Sequence, residues 1–190
     1  QCVYGGEQMS GIPVGSVITG IQLRQWNDAQ ANFPSAALAV SRYDIRFAAT
    51  TKTPATMSGT FAENMVNPVL VRSGSFNLAA GAYPGGAATG STPEGWGPVI
   101  AFTTPFAYLG GGLAVEFRED SPTGLPSSFA DVSTQVGAGS QGSSIAANAT
   151  ESSSAVLQNH VLVMRLTYTP PVGRFQSGIT RLMILDDLAN

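Results

Sequence analysis

The chain has 190 residues, of which 43% are hydrophobic and only 11% charged, with 22 Gly, 12 Pro and a formal net charge of −3. An ordinary soluble domain carries about 25% charged residues, and the polar remainder here is mostly Ser and Thr, 35 together. This balance excludes charge-driven disorder and coiled coils, and a single lysine, Lys52, leaves no basic face for nucleic acid or an anionic membrane.

Taken in chain order, the strand signals dominate. Residues 16–26 (SVITGIQLRQW) set Val17, Ile21 and Leu23 against Thr19, Gln22 and Arg24. Residues 42–47 alternate more clearly, with Tyr43, Ile45 and Phe47 on one face, the period of a half-buried strand. The segment 59–65 is the one helix-like stretch, a turn or two long. Further strands are predicted at 69–72, 74–78, 99–103 and 113–118, where Leu113, Val115 and Phe117 oppose Glu116 and Arg118. At 161–168, Leu162, Met164, Leu166 and Tyr168 form a wholly apolar face. An apolar run at 179–185 follows. Turn formers such as Pro84-Gly85-Gly86, Gly110-Gly111-Gly112 and Pro170-Pro171 separate these runs. Short strands punctuated in this way predict an all-β fold, an antiparallel β-sandwich of jelly-roll type.

The length fits one domain spanning 1–190, with a Ser/Gly/Ala-rich insertion at about 121–154 that reads as flexible by composition. No apolar run reaches the roughly 18 to 20 residues of a membrane helix. Gln1 in place of Met reads as the start of a processed chain or of a trimmed one, and lone Cys2 permits no internal disulfide. Asn148-Ala149-Thr150 is a glycosylation sequon within the insertion, meaningful if the chain is exported.

Candidate chemistry is sparse. Residues 137–142 match G-x-G-x-x-G, but they lie in low-complexity sequence without the βαβ setting that gives the motif its chemistry. His160 is the only histidine and no G-x-S-x-G elbow accompanies it, so it reads as a residue at the start of a strand and no catalytic residue is assigned. Glu63, Glu94, Glu116 and Glu119 show no spacing that singles out a glycosidase pair. The doublets Glu119-Asp120 and Asp186-Asp187 are candidate calcium ligands, set against the plainer reading of solvated acids at loop ends. Trp26, Trp96, Tyr83 and Tyr108 are candidates for a sugar-stacking platform, and Trp96, among the turn formers of 93–98, is expected to be the exposed one. No other cofactor is implied.

Several stretches together resemble a family of exported bacterial β-sandwich proteins associated with PEP-CTERM sorting. They are QCVY at 1–4, ITGIQLR at 18–24, YDIRFAATT at 43–51, GTFAEN at 59–64, IAFTTPFAY at 100–108 and LAVEFR at 113–118, so the resemblance covers residues 1 to about 120. It implies export, a jelly-roll-like sandwich and no established enzymatic role. The Pro-Glu-Pro tag and hydrophobic tail of that family are not among these residues, which close on LMILDDLAN at 182–190.

The expectation is a secreted, non-catalytic structural protein, a self-assembling subunit of a filament, tube or surface layer, located outside the cell or on its surface. So few charges, and one lysine to guard the edge strands, remove the usual barriers to association. Ile179, Leu182, Ile184 and Leu185 are the candidate assembly residues, either as the last strand of their own sheet or as a strand donated to a neighbour. The alternative is a cell-surface carbohydrate-binding module using Trp96. The partners are thus the protein itself or a polysaccharide, with no nucleic acid and no membrane span.

Overall fold

The computed structural model describes residues 1–26, 29–86, 93–120, 132–133, 142–146, 153–154, 156–158, 161–172 and 182–184. Its strands are β1 (Cys2–Tyr4), β2 (Val17–Leu23), β3 (Leu38–Val40), β4 (Tyr43–Thr50), β5 (Val66–Arg72), β6 (Phe76–Leu78), β7 (Ile100–Ala107), β8 (Gly112–Glu119), β9 (Val132–Ser133), β10 (Gly142–Ala146), β11 (Val156–Gln158), β12 (Val161–Leu162), β13 (Met164–Thr169) and β14 (Leu182–Ile184). A six-stranded sheet runs β11-β10-β1-β8-β4-β5 and a four-stranded sheet β14-β13-β2-β7, with β12-β9 and β3-β6 as small pairs. Every strand pairing among the described residues is antiparallel. The all-β antiparallel expectation is met.

The two large sheets share one apolar core. Tyr43, Ile45, Phe47, Leu113 and Val115 supply it from the six-stranded sheet, and Ile18, Ile21, Leu23, Met164 and Leu166 from the four-stranded one. Phe47 stands at the join, edge-on to Phe102 at 4.9 Å and to Phe106 at 5.7 Å on β7. Edge-to-face rings at such distances add about 0.5–1.5 kcal/mol per pair beyond their buried area. Thr103 Oγ1 donates to Val71 O at 3.2 Å, tying β7 to the edge strand β5. Pro68 in β5 and Pro105 in β7 each remove a backbone donor. Proline, rather than lysine, blunts these two edges.

Alternation fails at the start of β2. Val17 was expected to share a face with Ile21 and Leu23, yet it is exposed while Ile18 is buried. Register shifts between Ile18 and Gly20 and between Thr167 and Tyr168 explain this, because a bulge moves the following side chains to the other face.

The centre of the six-stranded sheet is also covered on its second face. Val3 and Ala114 pack there against Met57 and Phe61 in a separate small cluster. The helix-like stretch is a single 3₁₀ turn, Phe61–Asn64, and it lies over this face. Glu116, predicted to point outward, is therefore buried. It is satisfied by Arg118 Nε at 2.8 Å, Arg46 Nη1 at 3.1 Å and Gln1 Nε2 at 3.2 Å. Asp44, likewise buried, accepts from Ser73 Oγ at 2.7 Å, Arg42 Nε at 2.9 Å and Gly74 N at 3.4 Å.

Burial pushes the Asp44 carboxyl up, but the hydrogen bonds from Ser73, Arg42 and Gly74 and the Arg42 charge outweigh it and hold the group below its ordinary value. A depressed folded pKa contributes stability above the unfolded value, about pH 4, that is lost as pH falls through the folded one. Asp44→Asn is expected to destabilise by about 1–2 kcal/mol at neutral pH, and the gap to wild type should narrow as thermal melts are repeated below about pH 4.

Candidate functional site

With Ile21 and Leu23 filling the core, the intervening Gln22 and the following Arg24 fall on the outer face of the four-stranded sheet. On β13, Met164, Leu166 and Tyr168 are buried, which leaves Arg165 and Thr167 on that same outer face. Direct cross-strand pairing sets Gln22 beside Arg165 and Gly20 beside Thr167. Trp96 joins them through an antiparallel bridge to Arg24. The guanidinium carbons of Arg24 and Arg165 each lie 5.2 Å from the centre of the Trp96 ring. Each such contact is worth about 0.5–1 kcal/mol exposed and more when water is excluded.

The loop carrying Trp96 is pinned at Gly97. Its N–H donates to Leu23 O at 2.9 Å, and its carbonyl accepts from Gln22 Nε2 at 2.7 Å. A Cβ at position 97 would stand 2.1 Å from the buried Tyr83 ring, so only glycine lets the chain pass. Tyr83 is fixed in turn by Gln25, whose Nε2 lies 2.9 to 3.0 Å from the carbonyl oxygens of Ala31, Tyr83 and Pro84.

The site is electrostatically lopsided. Buried Glu94 accepts from Gly86 N at 2.9 Å. Arg165, half-buried, makes no hydrogen bond or ion pair with any described residue, and its enclosed Nε and the Thr167 Oγ1 two residues on have no hydrogen-bond partner. Burial lowers the Arg165 pKa, but a guanidinium stays charged at any physiological pH.

The predicted four-aromatic platform does not form. Tyr83 and Tyr108 are buried, and Trp26, at 51% exposure, is more open than half-buried Trp96, whose ring lies back over the sheet against the two arginines. Glu119 ends β8 and Asp120 follows it, with Asp120 N donating to Arg42 O at 3.1 Å, and no group of three acids, histidines or cysteines is set to hold a metal among the described residues. Asn148, His160, Ile179, Leu185, Asp186 and Asp187 lie outside the described residues. Leu182 and Ile184 belong to β14, which pairs with β13 of its own sheet (Thr167 with Leu182, Arg165 with Ile184). Cys2 is a buried free thiol in β1, between β8 and β10, so a bridge to another chain requires opening the sheet.

Sequence reasoning missed a second feature, an apolar end formed by three connections. Gly15 N donates to Tyr108 O, and Tyr108 N to Ser16 O, both at 2.8 Å. Gly15 packs against Pro171, where a Cβ would come within 3.3 Å, and Gly110 against Val14, within 3.1 Å. At this end Val14 is 64% exposed, Leu109 79% and Val172 fully exposed. The contributing stretches 8–23, 95–115 and 166–173 contain no Asp, Glu, Lys or Arg, a pattern visible in the sequence once the fold brings them together.

Gly97→Ala is expected to destabilise the protein by about 2 kcal/mol or more through collision with Tyr83. Acrylamide quenching should rise as Trp96 leaves its seat between the arginines; unchanged quenching and melting temperature would contradict this packing.

No protein-family model, curated protein or solved structure matches the chain.

Proposed function

We propose that this chain is a secreted, non-catalytic structural subunit that assembles with copies of itself outside the cell, as part of a filament, tube or surface layer. In this reading the two-sheet core is a jelly-roll-like sandwich of the exported type its sequence resembles. The observation that carries the proposal is the charge-free end with Val14, Leu109 and Val172 projecting from it. Contiguous exposed apolar surface rimmed by polar residues marks interaction sites in soluble proteins, and here no charge within the three contributing stretches opposes contact with a second copy. The buried carboxylates fit a structural role, since Glu116 and Asp44 are held by arginines within the sheet. Pro68 and Pro105 disfavour growth through the edges β5 and β7.

A second reading, a cell-surface carbohydrate-binding module, is favoured by a different observation, the Trp96–Arg165 arrangement on the outer face of the four-stranded sheet.

Sedimentation velocity tests the assembly reading. Wild type is expected to sediment as species larger than the 19.6 kDa chain, in growing proportion as concentration rises. Leu109→Glu, with unchanged circular dichroism and melting temperature, is expected to remain monomeric. A wild type that stays monomeric at high concentration contradicts the proposal.

A further inference from the structure

The geometry points to Arg165 as the anchor of an anion-binding site on the outer face of the four-stranded sheet, taking the carboxylate of a uronic-acid residue in an acidic polysaccharide. This inference rests on the carbohydrate reading and not on the assembly reading.

Four observations lead to it. First, Arg165 is a half-buried cation that no described residue pairs with, whereas the buried carboxylates Asp44 and Glu116 are each engaged by arginine. A partly desolvated charge is costly unless something compensates it. Second, the guanidinium does not hang free. The Trp96 ring lies 5.2 Å from its carbon, Trp96 is fixed by the Gly97 hydrogen bonds, and the enclosed Nε keeps the group from swinging away. A fork held in place loses less side-chain entropy on binding.

Third, the planar fork matches a planar carboxylate in a bidentate pair, the strong form of charge-assisted hydrogen bond. Fourth, apart from the buried Arg24 against the same Trp96 ring, the groups beside Arg165 on that face are uncharged hydrogen-bonding side chains. Thr167 shares its strand, while Thr19 and Gln22 lie on β2 alongside. Hydroxyls and a carboxamide suit the hydroxyls of a sugar. A phosphate-rich polymer would call for a run of cations instead, and a chain with net charge −3 and one lysine does not supply one. Thr167 Oγ1, enclosed and without a partner, is a group whose hydrogen-bonding capacity a shift on ligand binding would use.

The test is isothermal titration of the full chain with polygalacturonate and, separately, with neutral dextran. The expected result is salt-sensitive binding of polygalacturonate, none of dextran, and a loss of about tenfold or more in Arg165→Gln, as for removal of a charge-assisted pair. Arg165→Lys keeps the charge but not the fork and should bind with intermediate affinity. If the glutamine variant fails to fold, the lysine variant decides, and unchanged affinity in it overturns the inference. No binding of polygalacturonate, or equal binding by Arg165→Gln and wild type, also overturns it. Binding of dextran alone overturns the carboxylate site while leaving sugar binding standing. An Arg165→Gln effect confined to sedimentation assigns the residue to contact between copies and overturns the inference.

Discussion

Burial of the centre of the six-stranded sheet on both faces is the constraint on which the other features depend. One face meets the four-stranded sheet around Phe47, and the centre of the other lies under Met57 and Phe61. A strand covered on both sides has no solvent face on which to place charge, so any charge it carries must be paired within the sheet. Arg46 and Glu116 stand directly opposite each other on β4 and β8, as do Asp44 and Arg118. Arg118 closes the arrangement by bonding Glu116 while lying over the Phe61 ring at 5.5 Å. Removing one partner from such a set costs more than the pair contributes, because it strands the other charge.

The four-stranded sheet is under no such constraint. It gives one face to the core, and on the other Gln22, Arg165 and Trp96 stay partly exposed beside the buried Arg24. At one end of the same sheet the connections before β2, after β7 and after β13 come together without a charged residue. The scarcity of charge is therefore unevenly distributed. Two of the twelve carboxylates are buried within β4 and β8, and the stretches 8–23, 95–115 and 166–173 have none.

Much of the strand pattern was legible in the sequence, and the exceptions arise from contacts between distant segments. β4, β8 and β13 alternate, and their predicted faces fill the core. β1 escaped because Cys2, Val3 and Tyr4 are all buried, so a central strand covered on both sides shows no period of two. β10, with the sequence GSSIA, reads as loop; its extended form comes from pairing with β1 and β11, a tertiary effect that overrides local preference. Of the candidate site, Trp96 was legible as an aromatic among turn formers, and its position over two arginines was not. That contact joins residues 24, 96 and 165, and no local spacing encodes it. The apolar end was hidden for the same reason.

The central claim is that the charge-free end is where one copy meets another. Hydrogen–deuterium exchange at low and high protein concentration tests it most directly, because it reports position as well as association. The account predicts that 13–17, 107–111 and 169–172 gain protection as concentration rises, while the Trp96 loop at 93–98 exchanges as before. Protection that rises elsewhere with no change at that end, or exchange independent of concentration throughout, would contradict it.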